Sequence, residues 1–421
     1  MESKALLLLW VLLSILNVSF ATEVSTTPPF VAQLYVPQIS RPRQLLLDFA
    51  GDILVSSASS RISAIRETNH GNGTSTVETT TIVDGTGLAL THGIAIHDGY
   101  LYASSAIRVY RWPYKPGQFS LINPRTIQTV ITNITQTSSG HSTRTLTFDE
   151  EGRLYISVGS LANIDTDSYR SRIRRFTIAN QFLPIPFNNG EIFADGCRNT
   201  VGLGWSNSGI LYGVDNGADM LNRPDLGGAI WPENPAEEMN KFNLPINTHY
   251  GYPFCWSTYN LRDYAPRTQF AWPTFLDDGT HTDEWCQNPS NNAPPILSMP
   301  AHSAPLSIEF FKGVNCGVNG AFPCEAINDA FVAFRGSWHQ GVSNGYKVSW
   351  YPFDDEGELP TGEVVDVIYS PNATNSCNSC LRAAGATFNK DGHLIVSGDT
   401  TNEIFRVAYD TELPVINNIY H

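Results

Sequence analysis

Six times along the chain an apolar segment runs into a glycine-containing turn and returns as a second segment rich in Leu, Ile, Val or Tyr. The copies are LLLDFAGDILVSSA (45–58), HGIAIHDGYLYASSA (92–106), RTLTFDEEGRLYISVGS (144–160), VGLGWSNSGILYGVDNG (201–217), LSIEFF (306–311) with AFVAFRGSW (330–338), and AGATFNKDGHLIVSGD (384–399). A repeated hairpin that cannot cover its own apolar faces must stack on its neighbours. Six such units closing radially predict an all-β chain, a six-bladed β-propeller with four-stranded antiparallel blades. Apolar residues at helical spacing are almost absent, and 33 glycines and 26 prolines punctuate short alternating runs. Between the fourth and fifth copies lies a stretch rich in Pro, Asn, Trp and Tyr, residues 218–305. An excursion of that length in a compact domain marks a functional loop.

The first 21 residues, a lysine followed by an apolar run and the small residues Ser19 and Ala21, read as a secretory signal peptide, leaving 22–421 as one propeller domain. The apolar run is too short to span a bilayer and no later run is longer, so a secreted, extracellular chain without a membrane span is expected. Export permits disulfides, and the seven cysteines all fall in the C-terminal half. Spacing suggests Cys316 with Cys324, Cys255 with Cys286 and Cys377 with Cys380, leaving Cys197 free. A redox or metal role for the Cys377-x-x-Cys380 pair lacks a second such pair or nearby histidines. Asn72, Asn133 and Asn372 open glycosylation sequons, which predicts exposed loops. A net charge of −14 speaks against nucleic acid or an anionic membrane as partner.

In a propeller, residues just before and after each hairpin face the mouth of the central channel. The first two copies offer little there. The later ones offer Gly140-His141, Asp195-Gly196-Cys197-Arg198-Asn199, Asp215-Asn216-Gly217-Ala218, Arg335-Gly336-Ser337-Trp338-His339 and Leu381-Arg382. Converging arginines suit carboxylate or phosphate, because a guanidinium makes paired, charge-assisted bonds. The plainer reading pairs each arginine with a local acid, such as Arg198 with Asp195. Asp215 to Asp219 offers hard oxygen ligands for Ca²⁺ but lacks the spacing of an EF-hand. Neither a nucleophile elbow nor a dinucleotide fingerprint is present.

GHSTRTLTFDEEGRLYISVGS, ADGCRNTVGLGW, YGVDNGADM, EEMN, HYGYPFCW, AFVAFRGSW, GYKV and LRAAGATFNKDGHLIVSGDTTNEIFRV together resemble the soluble quinoprotein sugar dehydrogenases, which include glucose, aldose and sorbosone dehydrogenases and fungal pyranose dehydrogenase domains. The resemblance covers Gly140 to Val407 in order. It implies pyrroloquinoline quinone (PQQ) and Ca²⁺ at the top of the channel, and oxidation of a sugar C1 hydroxyl by hydride transfer to the quinone. By that pattern His141 is the general base, with Arg198 beside it at the reacting quinone oxygens. Arg198, Asn199, Arg335, Trp338 and Arg382 are cofactor-binding, and the carbonyls of Gly217 and Ala218 are Ca²⁺ ligands. This chain departs from the glucose enzyme at Ala384, near which that enzyme carries a second basic residue; Arg335 is the expected substitute. No haem motif CxxCH occurs, so electrons are expected to pass to a separate acceptor such as a cytochrome, quinone or dye.

Two other classes compete. One is a non-catalytic extracellular propeller that binds a protein or glycan, which has no need of a base beside an arginine. The other is a Ca²⁺-dependent lactonase, whose ion wants a central ring of Asp, Asn and Glu. The sugar itself is not specified, although Trp231, Tyr250, Tyr252, Trp256, Tyr259, Trp272 and Trp285 in the long excursion are expected to form much of the pocket wall.

Overall fold

The structure is a computed structural model and describes residues 22–134, 140–179, 181–339, 341–374, 376–410 and, for the backbone, 415–420. The expected signal peptide lies outside the described residues. Six antiparallel sheets follow one another, and their innermost strands are Pro42–Leu47, Leu90–His97, Leu146–Phe148, Thr200–Trp205, Pro305–Phe310 and Ala383–Phe388. Each pairs with the strand that follows its hairpin turn, so the six repeats of the sequence are the inner halves of blades 1 to 6. Blades 1, 2 and 3 each add a fifth, parallel strand at the rim. Phe30–Val36, near the start of the chain, is the outermost strand of blade 6 and pairs with Glu403–Tyr409, which ties the two ends of the ring together. Among the described residues the one α-helix is Asp283–Gln287, and no helix is long and apolar enough to cross a membrane.

The inner strands approach one another more closely than side chains allow, and the sequence shows how. Leu47, Ile96, Phe148, Trp205, Phe310 and Phe388 occupy equivalent positions, each paired with the first apolar residue of its return strand. Three residues earlier stand Gln44, Gly93, Thr145, Gly202, Ser307 and Gly385. Glycine thus alternates with a hydrogen-bonding side chain around the ring. A Cβ on Gly93 would stand 2.0 Å from the Arg144 oxygen of blade 3, one on Gly202 would stand 2.9 Å from the Ile308 nitrogen of blade 5, and one on Gly385 would stand 2.3 Å from the Arg43 oxygen of blade 1. In the other three blades the side chain bonds the next inner strand: Gln44 Oε1 accepts from Ile94 N at 2.9 Å, Thr145 Oγ1 donates to Val201 O, and Ser307 Oγ accepts from Ala386 N at 3.3 Å. Serines on the return strands add further ties, with Ser56 donating to His92 O, Ser104 to Arg144 O and Ser397 to Arg43 O, each at 2.6 Å.

Between the blades lie separate apolar clusters, for instance Phe322, Phe331, Phe388 and Phe405 between blades 5 and 6. The cysteines pair as their spacing suggests, 255 with 286, 316 with 324 and 377 with 380, and Cys197 is a buried free thiol. Asn72, Asn133 and Asn372 are exposed. Because Gly93 faces backbone, Gly93→Ala is expected to destabilise the fold by about 3 kcal/mol through overpacking. Gln44→Ala, which removes one hydrogen bond, is expected to cost only about 1 kcal/mol. Denaturant midpoints in the opposite order would refute the alternation.

Candidate functional site

Each inner strand runs away from the mouth and its partner returns to it. The connections before one and after the other therefore meet at a single end of the channel.

His141 sits on the approach to the inner strand of blade 3. Gly140 before it has φ +69°, and a Cβ there would press against the Leu161 backbone at 2.5 Å, so the turn requires glycine. The His141 backbone nitrogen donates to Ser160 O at 3.1 Å, and the carbonyl accepts from the Arg144 guanidinium at 2.7 Å. The ring Nδ1 lies 3.0 Å from both Ser160 O and Ser160 Oγ, while that hydroxyl gives its own hydrogen to Ala162 O at 2.7 Å. Both partners of Nδ1 are acceptors, so Nδ1 carries the hydrogen and Nε2 keeps its lone pair. Burial, reinforced by the Arg198 charge, lowers the imidazole pKa to about 4. The ring is therefore neutral at pH 7, the form a base needs.

Gly159 supports the same residue. A Cβ there would stand 2.3 Å from Asn199 Oδ1 and 2.7 Å from His141 Cβ, so the two expected site residues share the space that this glycine leaves. The Asn199 backbone is in turn held by Asp215, whose Oδ1 accepts its N–H at 2.5 Å.

Arg198 is buried and does not pair with Asp195, which is taken by Arg172 at 3.0 Å. Its guanidinium instead donates to Gly217 O at 2.7 Å, Asn216 O at 3.1 Å and Asn163 at 3.1 and 3.2 Å, and reaches Asp219 Oδ2 at 3.5 Å. The Gly217 carbonyl expected to face Ca²⁺ thus already accepts from Arg198, with its second lone pair left over. Glu237 fixes this loop by accepting from Gly217 N at 2.7 Å and from Ala304 N at 3.1 Å, and burial raises its pKa to about 7. Ala218 is buried beside Leu221 and Trp256.

Arg335 pairs with Asp399 at 2.7 Å, but the same carboxylate oxygen also takes Arg43, at 2.7 Å, so two cations share one anion. Arg382 makes no ion pair among the described residues; it donates to Cys377 O and Gly336 O and lies 5.0 Å over the Tyr346 ring. Arg43, Arg335 and Arg382 thus have among the described residues a single carboxylate partner, Asp399. Two buried polar atoms there that can meet a hydrogen-bonding ligand also lack partners, His92 Nδ1 and Thr200 Oγ1. A polyanionic, hydrogen-bonding group fits such a lining.

Arg43 and His92 were not found from the sequence, although the positional rule contained them. With Arg144 they occupy equivalent places four residues before the landmark apolar position of blades 1, 2 and 3. Ala384, at the same level in blade 6, is buried with Val201 and Leu306 in a small apolar cluster.

Trp338 is 64 % exposed and stacks on His339 with ring centres 4.0 Å apart. Of the expected aromatic wall, Tyr250, Tyr252, Trp256 and Trp272 are buried and line a small cavity of about 30 Å³ with Arg198, Gly217 and Ala218, while Trp231 packs against His302 and His339. These two histidines converge on Asp219 Oδ1, at 3.3 Å from His302 Nδ1 and 2.8 Å from His339 Nε2. Burial works against the Asp219 charge, but the His302 bond, Arg198 and His339 outweigh it and hold the carboxyl at about 2.

The model of a family described as TrAA12-like matches residues 24–410. A PQQ-dependent sugar dehydrogenase of Hypocrea jecorina is 32 % identical over 394 residues, spanning 87 % of this chain and 85 % of that protein. A PQQ-dependent pyranose dehydrogenase of Coprinopsis cinerea is 29 % identical over 402 residues, 87 % of this chain; this chain spans about half of that relative, 52 %. The calcium structure of the Trichoderma reesei carbohydrate-active enzyme of family AA12 superposes with a TM-score of 0.80 at 27 % identity, covering 92 % of this chain and 97 % of that one.

The His141 titration is expected near pH 4 in NMR, and Arg198→Met is expected to move it upward by removing the adjacent charge. The unfolded imidazole titrates near about 6.5, so between that pH and 4 the unfolded chain binds the extra proton. His141 therefore costs stability as pH falls through this window, and His141→Gln should flatten that part of the stability profile. A midpoint above 6 would overturn the assigned environment.

Proposed function

Since this chain belongs to the TrAA12-like family, we propose from its mouth that it is a PQQ- and Ca²⁺-dependent oxidoreductase acting on the C1 hydroxyl of an aldose or pyranose sugar, secreted and handing electrons to a separate acceptor. The observation that carries the reading is a tautomer-locked, neutral His141 beside a buried Arg198, in a mouth where Arg43 and Arg335 share one carboxylate. Bound PQQ would supply a two-electron acceptor carrying three carboxylates, and Ca²⁺ would polarise its reacting carbonyl.

The geometry supports the following share for the protein's own residues. Arg43 and Arg335, which share a single carboxylate, are suited to a further carboxylate of the cofactor, and Arg382 to another. His141 Nε2 accepts the hydroxyl proton of the sugar while Nδ1–H stays on Ser160. As Nε2 takes that proton the ring becomes cationic, and the Ser160 carbonyl stabilises the imidazolium. Arg198 and Asn199 would offer positive charge and a hydrogen-bond donor to the negative charge that a reduced cofactor carries. The Gly217 and Ala218 carbonyls, with a cofactor carboxylate, would hold the Ca²⁺.

The test is to add PQQ and Ca²⁺ to the purified chain and follow reduction of a dye with a panel of monosaccharides. His141→Ala is expected to lower kcat by about 10²–10⁴-fold with the PQQ absorption on the protein unchanged. Full activity in that variant would remove His141 as base, and failure of the protein to take up PQQ at micromolar concentration would overturn the whole reading.

A further inference from the structure

His302 poses a question that the sugar chemistry leaves unanswered. Its Nε2 faces the Trp231 carbonyl oxygen, which can only accept, so Nε2 carries a hydrogen. Its Nδ1 faces Asp219 Oδ1 at 3.3 Å, and an ionised carboxylate oxygen can also only accept. A neutral imidazole in this pose would set two lone pairs against each other, so either a proton on Nδ1 or a metal ion belongs between them. His339 Nε2 lies 2.8 Å from the same carboxylate oxygen, and all three ligating atoms fall within 4.8 Å of one another.

We propose that Asp219, His302 and His339 form a binding site for one transition-metal dication of the Zn²⁺, Ni²⁺ or Cu²⁺ class. Two imidazoles and a carboxylate suit these ions, whereas Ca²⁺ takes oxygen ligands. Ligand atoms held at about 2.0–2.2 Å on a tetrahedral zinc lie roughly 3.4 Å apart; the His302 pair already stands at 3.3 Å, and the His339 pair, at 2.8 Å, would have to open to admit the ion. The surroundings match a metal site as well: a ligating histidine ordinarily donates its second nitrogen to a carbonyl or carboxylate, as His302 does to Trp231. The rings are fixed in place, His339 between Trp231 at 5.2 Å and Trp338 at 4.0 Å, with His302 against Trp231 at 5.9 Å. Asp219 Oδ2 points to Arg198, so the carboxylate would bind through one oxygen. Three protein ligands leave a coordination position open at the mouth, and the ion would draw Asp219 away from Arg198.

The experiment uses the full chain stripped of metal with a chelator and free of PQQ. Its outcome is therefore independent of the sugar dehydrogenase reading. Titration calorimetry with Zn²⁺ is expected to give one site per chain that excess Ca²⁺ does not displace. His302→Gln and His339→Gln should each weaken it at least about 10-fold, a loss that even outer contacts to a metal commonly cause. His70→Gln, at an exposed strand end, should leave it unchanged. Co²⁺ added to the unaltered protein should give an absorption spectrum of mixed nitrogen and oxygen coordination, a readout that does not depend on a variant folding. Absence of a stoichiometric site, undiminished affinity in both histidine variants, displacement by Ca²⁺ or an all-oxygen Co²⁺ spectrum would each overturn the proposal.

Discussion

The mouth exists because six inner strands can crowd around one axis, and that crowding depends on an alternation of glycine with a bonding side chain. Blades 2, 4 and 6 give way with Gly93, Gly202 and Gly385; blades 1, 3 and 5 reach across with Gln44, Thr145 and Ser307. A ring of six identical contacts would need every strand to yield and to reach at once. Alternation divides the two tasks, so the backbone arrangement has an approximate threefold character beneath six similar blades. Interiors this close to native packing density leave little freedom for repacking, and the positions of the mouth residues are inherited from it.

What the ring hands to the site is unevenly shared. At the level of Arg43, His92 and Arg144, blades 1 to 3 are polar, while Val201, Leu306 and Ala384 make blades 4 to 6 apolar. Just past the return strands the pattern inverts. Blades 1 to 3 offer the small residues Ala58, Ala106 and Gly159, and blades 4 to 6 offer Asn216, Arg335 and Asp399. One side of the mouth therefore draws its polar groups from deep in the channel and the opposite side from its rim. Room is left above the small residues, and that is where the expected base stands, since His141 packs against Gly159.

The blades were legible because a hairpin repeat survives in the local pattern of each copy, and pairing of inner strands needs nothing more. The expected base was legible for the same reason, as an entry residue of one copy. The closing of blade 6 by Phe30–Val36 was not, since one apolar strand at the start of a chain does not name its distant partner. Arg43 and His92 were passed over although the same rule reached them, because neither stands in a block that resembles a known one. The long excursion was legible only in outline: composition counts aromatic rings without saying which way they face, and Tyr250, Tyr252, Trp256 and Trp272 are buried around the small cavity that Arg198 also lines. The pairing of His302 with His339 joins residues on either side of the blade 5 hairpin to Asp219 of blade 4. No spacing rule links those three numbers.

Asp219 and Asp399 each serve more than one partner at the mouth. Asp399 divides one oxygen between Arg43 and Arg335, and Asp219 gives one oxygen to two imidazoles and turns the other to Arg198. Removing either carboxylate would release several positive groups together, and like charges in a buried setting repel strongly. Asp219 thus tempers the field that the neutral His141 senses: burial lowers its pKa most, the Arg198 charge lowers it further, and Asp219 acts in the opposite direction. A cation at the histidine pair would weaken that offset and deepen the positive potential at the base. The electrostatics of the two parts of the mouth are coupled through a single carboxylate, which makes Asp219 the residue through which occupancy of one part is felt by the other.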